Sequence, residues 1–107
     1  MKFRIARNML YADNQIFCRV EAKHGRAGVP LGVSEIEVRT ATEHGSVPMV
    51  YADKHGWIGG LSGADIIIGR VVGKHGVVPC LSTQERLVAL CESAADNGER
   101  VTLEVTP

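Results

Sequence analysis

The sequence predicts a single α+β domain that consists mostly of β-strands. Apolar and polar residues alternate through segments such as Val33 to Thr42 and Arg100 to Val105, and this alternation is typical of half-buried strands. Only the segment that follows Ser82 repeats its apolar residues at the spacing of a helix. Because 107 residues are enough for one modest core, we expect residues 1–107 to form one domain.

The first half of the chain is predicted to contain strands joined by short turns. Lys2 to Tyr11 and Gln15 to Ala22 are predicted strands, and Asp13-Asn14 between them is a turn signal. We expect this hairpin, within residues 1–22, to be an addition to a core formed by residues 26–106. Val47 to Ala52 predicts a further short strand, and the Gly-rich stretch after it predicts a short helical turn at about residues 57–61.

The last third of the chain carries the clearest pattern. Ile66 to Val72 is almost wholly apolar, as expected for a strand covered on both faces. Ser82 and Glu85 have the spacing of a capping box, which predicts a long helix at about residues 83–96. Asn97-Gly98 predicts the left-handed end of that helix. A closing strand follows, with Val101, Leu103 and Val105 pointing inward.

Composition excludes several classes of function. Twelve basic and twelve acidic side chains give a formal net charge of zero, which argues against binding nucleic acid or a membrane surface through bulk charge. No apolar run is long enough to span a bilayer. Arg4, Arg7 and Asn8 interrupt the N-terminal segment, so we expect no secretory signal and a cytoplasmic location. The three cysteines form no C-x-x-C pair, so we expect neither disulfides nor a zinc site, and no cofactor.

Three segments of this last third resemble the second half of a PDZ domain. Gly60-Leu61-Ser62-Gly63-Ala64-Asp65-Ile66-Ile67-Ile68 resembles the G-L-x-x-G-D-x-I-L motif, with Ala64 where Gly is usual. Val72-Gly73-Lys74 is similar to the V-N-G-x turn, and Val101 to Val105 resembles the V-x-L-x-V end of the family. The resemblance implies a partly open barrel or sandwich of five to six strands, capped by the long helix. It also implies a module that binds peptides and has no catalytic activity.

The resemblance implies a loop that binds the C-terminal carboxylate of a ligand. Pro30-Leu31-Gly32-Val33 stands where PDZ domains have G-Φ-G-Φ, and Arg26 precedes it where the family often has a basic residue. Successive backbone N–H groups of Leu31, Gly32 and Val33 would form a nest for the carboxylate. Pro30 departs from the usual Gly and has no N–H to donate.

The rest of the implied site is a groove between a strand and the helix. A ligand, either the C-terminus or an internal extended segment of a partner protein, would add a strand to the free edge of residues 34–39, which begin with Ser34, Glu35 and Ile36. Gln84, Val88 and Cys91 would face the groove, while Leu87, Leu90 and Ala94 enter the core. Leu31, Val33, Val88 and Cys91 would form a pocket, so the expected partner is a protein C-terminus with an apolar last residue. Gln84 stands where many members have His, so no Ser or Thr preference is predicted.

Other functions stay open at this stage. The groove could be filled by the chain's own N-terminal strand or by a second copy, which would make the protein an assembly component or a homodimer. A hydrolase with Ser62 as nucleophile, His55 as base and Asp65 as orienting group lacks the strand–elbow–helix context that such a serine needs. All four histidines precede glycine, but their spacing fits no metal-binding motif.

Overall fold

In the computed structural model, which describes residues 1–22, 30–42, 45–71 and 76–107, a β-sheet curls round on itself and one helix packs against it. The strands are β1 (Lys2–Ala6), β2 (Met9–Ala12), β3 (Gln15–Ala22), β4 (Gly32–Ala41), β5 (Val47–Ala52), β6 (Gly56–Gly59), β7 (Ile66–Val71), β8 (Val77–Pro79) and β9 (Thr102–Thr106), and the helix α1 is Leu81–Asp96. Eight strands form a closed barrel in the order β3-β2-β1-β9-β4-β5-β6-β7, because β3 also pairs with β7.

The N-terminal hairpin is part of the barrel wall. β1 lies between β2 and β9, antiparallel to the first and parallel to the second. Its Phe3 and Ile5 side chains are buried in the main core with Leu103. The mostly-β α+β class is therefore confirmed, but the expectation of five to six strands in a partly open barrel is wrong, because residues 1–22 supply three of the strands that close it. The N-terminal strand is thus not available to fill the edge of β4.

Two-residue turns join the first three strands. Asp13 and Asn14 both have positive φ, 46° and 69°, and this turn between β2 and β3 was predicted. The prediction of one strand from Lys2 to Tyr11 is wrong, because the chain reverses between β1 and β2, where Arg7 has a φ of 57°. Asn-containing turns adopt positive φ readily, whereas an Arg gives no such signal in the sequence.

β7 is covered on both faces, as predicted. Ile66 and Ile68 point into the main core, and Ile67 packs in a second, smaller cluster outside the barrel. That second cluster also contains Met49 and Ala64. The strand therefore joins two apolar layers, which explains why its sequence lacks an alternating pattern.

The short helical turn expected at residues 57–61 is absent from the described chain, and the residues up to Gly59 form β6 instead. Gly56 has a φ of 85° and lets the chain turn into the strand. The Trp57 N–H donates to the Asp65 carboxylate over 2.8 Å. Tyr51 on β5 pairs with Trp57, so the ladder holds this backbone extended.

Helix α1 begins two residues earlier than its sequence signal predicts. Cys80 is the N-cap residue and makes no side-chain capping hydrogen bond, so the capping box of Ser82 and Glu85 is wrong. Gly60 fixes this start, because a Cβ there would lie 2.0 Å from the Cys80 carbonyl oxygen. The predicted end is confirmed: Gly98 has a φ of 75°, and its N–H donates to the Ala95 carbonyl. The predicted turn at 72–74 lies outside the described residues.

Candidate functional site

Strand β4 has one edge that is paired for only half of its length. Gly32 to Glu35 pair with β9, and the Ile36 N–H donates to the Val101 carbonyl on that same edge. The residues from Ile36 to Ala41 pair with β5 on the opposite edge. Alternate residues of a strand direct their backbone groups to opposite edges. Val38 and Thr40 therefore direct theirs toward the β9 side, where no further strand pairs within the described chain.

A cavity of about 380 Å³ separates this part of β4 from the C-terminal half of α1. Its apolar wall includes Ile36, Val38 and Ala95, and three carboxylates stand around it. An unpaired strand edge beside a cavity is a place where an added strand can bind. The cavity is lined by Ile36, Glu37, Val38, Cys91, Glu92, Ala95, Asp96 and Val101.

A second cavity of about 210 Å³ continues along the same flank of α1 toward its N-terminus. Glu92 lines both cavities, so they are neighbours. The side chain of Leu81 is 47 % exposed at the far end, an unusual position for a large apolar residue. We call the two cavities together the α1 groove. The second cavity is lined by Val47, Pro48, Leu81, Gln84, Glu85, Val88, Ala89 and Glu92.

The α1 groove is acidic although the whole chain is neutral. Glu37, Glu85, Glu92 and Asp96 line it, and no Lys, Arg or His is among its described lining residues. Arg39 neutralises only one of the four, since it pairs with Glu37 while its guanidinium lies 4.0 Å from the centre of the Tyr51 ring. The groove therefore favours a cationic ligand over an anionic one.

Gln84, expected to contact a ligand, is instead part of the framework. Its side chain is 2 % exposed. Its Oε1 accepts from the Gly60 N–H over 2.8 Å, and its Nε2 donates to the Pro48 carbonyl over 2.9 Å. The amide thus bridges β5 and the chain that follows β6, which corrects the expectation that it is free to bind a peptide.

Val88 and Cys91 were assigned to the groove face, and both are buried in the main core. Each also forms part of a cavity wall, so a ligand would meet their flanks only. Burial raises the pKa of the Cys91 thiol to about 12. Leu87 and Ala94 are buried as expected, whereas Leu90 is only partly buried.

The expected carboxylate-binding loop has another structure. Gly32 and Val33 are already in β4 and pair with β9, so their N–H groups point to opposite edges and cannot converge on one anion. Leu31 and Val33 are 63 % and 47 % exposed. Val33 lies on the outer face, since its neighbour Ser34 points inward, and it does not form the floor of the α1 groove. Arg26 lies outside the described residues.

A buried histidine fixes this same segment. The His55 ring is 2 % exposed; its Nδ1 lies 2.7 Å from the Ser34 hydroxyl and its Nε2 lies 2.8 Å from the Pro30 carbonyl oxygen. A carbonyl only accepts, so Nε2 carries the proton, and in the neutral ring the Ser34 hydroxyl donates to Nδ1. Ser34 is therefore used inside the protein. The contact joins residues 21 positions apart, which is why no sequence pattern reveals it.

The remaining predicted residues divide between the two edges of β4. The Glu35 carboxylate accepts from Arg100 on the outer surface, away from the α1 groove. Ile36 lines the groove as predicted for a strand that borders it. The alternative of a hydrolase with Ser62, His55 and Asp65, which the sequence does not favour, gains no support, since the ring nitrogens of His55 lie next to the Ser34 hydroxyl and the Pro30 carbonyl.

The cysteines differ sharply in environment. Cys80, at the start of α1, accepts hydrogen bonds from the side chain of Ser82 and from Thr83, and these lower the pKa of its thiol to about 6. Burial raises the pKa of Cys18 to about 12. All three cysteines are free.

Within the described ranges, no three side chains of the types that bind metals come together.

The comparisons with known proteins find no relative. No family model, no curated protein and no solved structure matches this chain. Among the helices of the described residues, none has the length and apolar character needed to cross a membrane.

Proposed function

We propose that this protein binds an extended segment of a partner protein, which adds a strand to the open edge of β4 beside α1. The observation that carries the proposal is the half-edge at Val38 and Thr40, which pairs with no strand of the described residues and lies next to a cavity walled by α1. Backbone pairing would supply affinity, and side chains entering the α1 groove would supply specificity. Such grooves typically bind with micromolar affinity, about −8 kcal/mol.

The resemblance to PDZ domains supports the same mode of binding. In that family a peptide also pairs with a strand beside a helix. The site proposed here is displaced along β4, to residues 37–41 from the predicted 34–39, because the first residues of the strand are paired with β9. The function is binding without catalysis.

Three free cysteines favour a reducing compartment, which is consistent with a cytoplasmic location.

The direct test removes one backbone donor from the open edge. Thr40→Pro deletes an N–H that the barrel does not use, because Thr40 and Pro48 are opposite each other at a position where the backbone groups point away from each other. Thr40→Val keeps the N–H and serves as the matched control. Binding partners would come from a display library of extended nine-residue segments, and their affinities from fluorescence anisotropy.

We expect Thr40→Pro to weaken binding at least ten-fold and Thr40→Val to leave it within two-fold. Methylation of the ligand's backbone nitrogens should abolish binding at either the odd-numbered or the even-numbered positions, but not at both. The reason is that only alternate residues of the ligand direct their N–H groups to β4. A library that yields no binder, or a binder indifferent to Thr40→Pro, would contradict the proposal.

A further inference from the structure

We infer that the segment bound in the α1 groove is internal to its partner and carries an apolar side chain four residues before a Lys or Arg. This inference rests on the proposed function, since it concerns the occupant of the same groove. Three observations support the inference: the negative charge of the groove, its exposed apolar end, and the distance between the two ends along α1.

The cationic requirement comes from the end of the groove next to Ile36. Glu37, Glu92 and Asp96 line that end, and Glu92 and Asp96 have no ion pair within the described residues. Both side chains are exposed and therefore accessible to a ligand. A Lys or Arg would be attracted, and a terminal carboxylate would be repelled. An internal segment avoids that repulsion.

The apolar requirement comes from the other end. Leu81 is 47 % exposed, and Val47 and Pro48 face it across the second cavity. Glu85 is the only charged residue at that end apart from Glu92, which the two cavities share. A Leu, Ile, Val or Met side chain placed there would bury these exposed apolar atoms, at about 25 cal/mol for each Å² removed from water.

The separation of the two ends fixes the spacing. Along α1, the midpoint of Leu81 and Val88 lies about nine residues before the midpoint of Glu92 and Asp96, a rise of ~14 Å. Four residues of an extended chain span about 13 Å, and side chains four apart point to the same face. Three or five residues would place the second side chain on the opposite face.

The direction follows from the pairing of β4. Ile36 and Val38 of β4 line the acidic end, and the end of the strand is nearest the apolar end, because Thr40 is opposite Pro48, which lines the second cavity. An antiparallel ligand runs from the end of β4 toward its start and therefore meets the apolar end first. Antiparallel pairing is the more stable arrangement, so the apolar residue precedes the basic one.

The probe is a nine-residue peptide, acetylated and amidated, with Leu at its third position, Lys at its seventh and Ser or Thr elsewhere. Three variants are compared with it: Glu in place of Lys, the Leu and Lys exchanged, and a free C-terminal acid with Leu last. We expect the parent peptide to bind at least ten-fold more tightly than each. Affinities are measured by anisotropy at low and physiological salt, because the preference for Lys should weaken with salt.

The protein variant Glu92→Lys reverses the charge where the two cavities meet. It should remove most of the preference for the Lys peptide over the Glu peptide, because the introduced ammonium offsets the Asp96 carboxylate while Arg39 already pairs with Glu37. Asp53→Lys makes the same change at an exposed carboxylate that lines neither cavity, and it should leave the preference intact. Circular dichroism verifies that both variants fold.

The outcomes separate the two claims. If the peptides bind in a manner sensitive to Thr40→Pro, but Lys and Glu versions bind equally or the free acid binds best, the inferred occupant is wrong and the proposed function stands. If none of these peptides binds while the display library yields a binder that is weakened by Thr40→Pro, only the inferred occupant is wrong. If the library also yields no binder, or Thr40→Pro has no effect on any binder, both are wrong. A homodimer in sedimentation that Thr40→Pro dissociates would overturn the partner segment in favour of a second copy.

Discussion

The two halves of β4 differ although they belong to one strand. The first half, Gly32 to Ile36, is paired on the β9 edge, and the Ser34 hydroxyl in it is bonded to the buried His55 ring. The second half, Glu37 to Ala41, pairs only with β5 and leaves one edge open beside α1. The resemblance to PDZ domains predicts a peptide-binding site at the first half of β4. The edge to which a ligand strand can bind lies instead at the second half. An open edge is a property of the fold that no local motif encodes.

The largest expected effect is on the fixed half. His55→Ala should lower the free energy of unfolding by about 3 kcal/mol, because it leaves a cavity and removes the partners of Ser34 and Pro30. Ser34→Ala should cost about 1 kcal/mol, since it removes only one of those hydrogen bonds. Urea unfolding measures both. If Thr40→Ala on the open half lowers the free energy of unfolding as much as His55→Ala does, the two halves of β4 do not differ in this way.

A substitution of Gln84 tests whether the side of α1 nearest the barrel stabilises the fold. Gln84→Ala should cost about 2 kcal/mol, because the Gly60 N–H and the Pro48 carbonyl lose their buried partner. The exposed neighbour Glu85→Ala should change stability by less than about 0.5 kcal/mol. If Gln84→Ala leaves the thermal stability almost unchanged, the Gln84 side chain does not hold the framework and is free to bind a ligand.

The two ends of α1 should differ in thiol chemistry. With a pKa of about 6, Cys80 is largely ionised at pH 7, and its alkylation by iodoacetamide should slow about ten-fold on acidification to pH 5. Cys91, with its pKa raised to about 12, should stay unmodified in the folded protein. Mass spectrometry of peptides from timed reactions distinguishes them.

The sign of this pH effect is fixed by the hydrogen bonds at Cys80. They stabilise the thiolate, so Ser82→Ala should raise the pKa of Cys80 and slow its alkylation at pH 7. Cys80→Ser, which removes the site, provides the background. Faster alkylation of Cys91 than of Cys80 would mean that α1 detaches from the barrel.

The smallest expected effect concerns the exposed pair of Glu37 and Arg39. Glu37→Gln should change the free energy of unfolding by about 0.5 kcal/mol or less, because surface ion pairs contribute little. It should nonetheless weaken binding of the Lys peptide by about two-fold, since one of four carboxylates is lost from the α1 groove. Calorimetry gives the stability and anisotropy the affinity.

Local signals in the sequence predict much of this fold. Asp13-Asn14 and Gly98 mark turns because their φ preferences do not depend on distant residues, and Ile66 to Val71 reads as a covered strand from its composition alone. Most of what could not be predicted is non-local, since the pairing of β3 with β7 and the contacts of His55 depend on residues far apart in the chain. The reversal at Arg7 is local, but an Arg carries no preference for positive φ that would reveal it.

The candidate site shows the same division. Sequence reasoning placed a groove between a strand and this helix, and the structure has a groove between β4 and α1. It misplaced the side chains, because Gln84, Val88 and Cys91 lie on the helix face that the barrel buries. The neighbouring stripe of Glu85, Glu92 and Asp96 reads as an ordinary solvated helix face. Only the cavities beside it distinguish it from one.

The affinity of Thr40→Pro, relative to Thr40→Val, for the Leu-x-x-x-Lys peptide tests the open edge most directly. Both variants should keep the β4–β5 ladder, and only Thr40→Pro removes the backbone N–H that points to the open edge of β4. Anisotropy titrations should show at least a ten-fold weaker complex for Thr40→Pro, with equal thermal stability of the two variants. Equal affinities at equal stability would contradict strand addition at this edge.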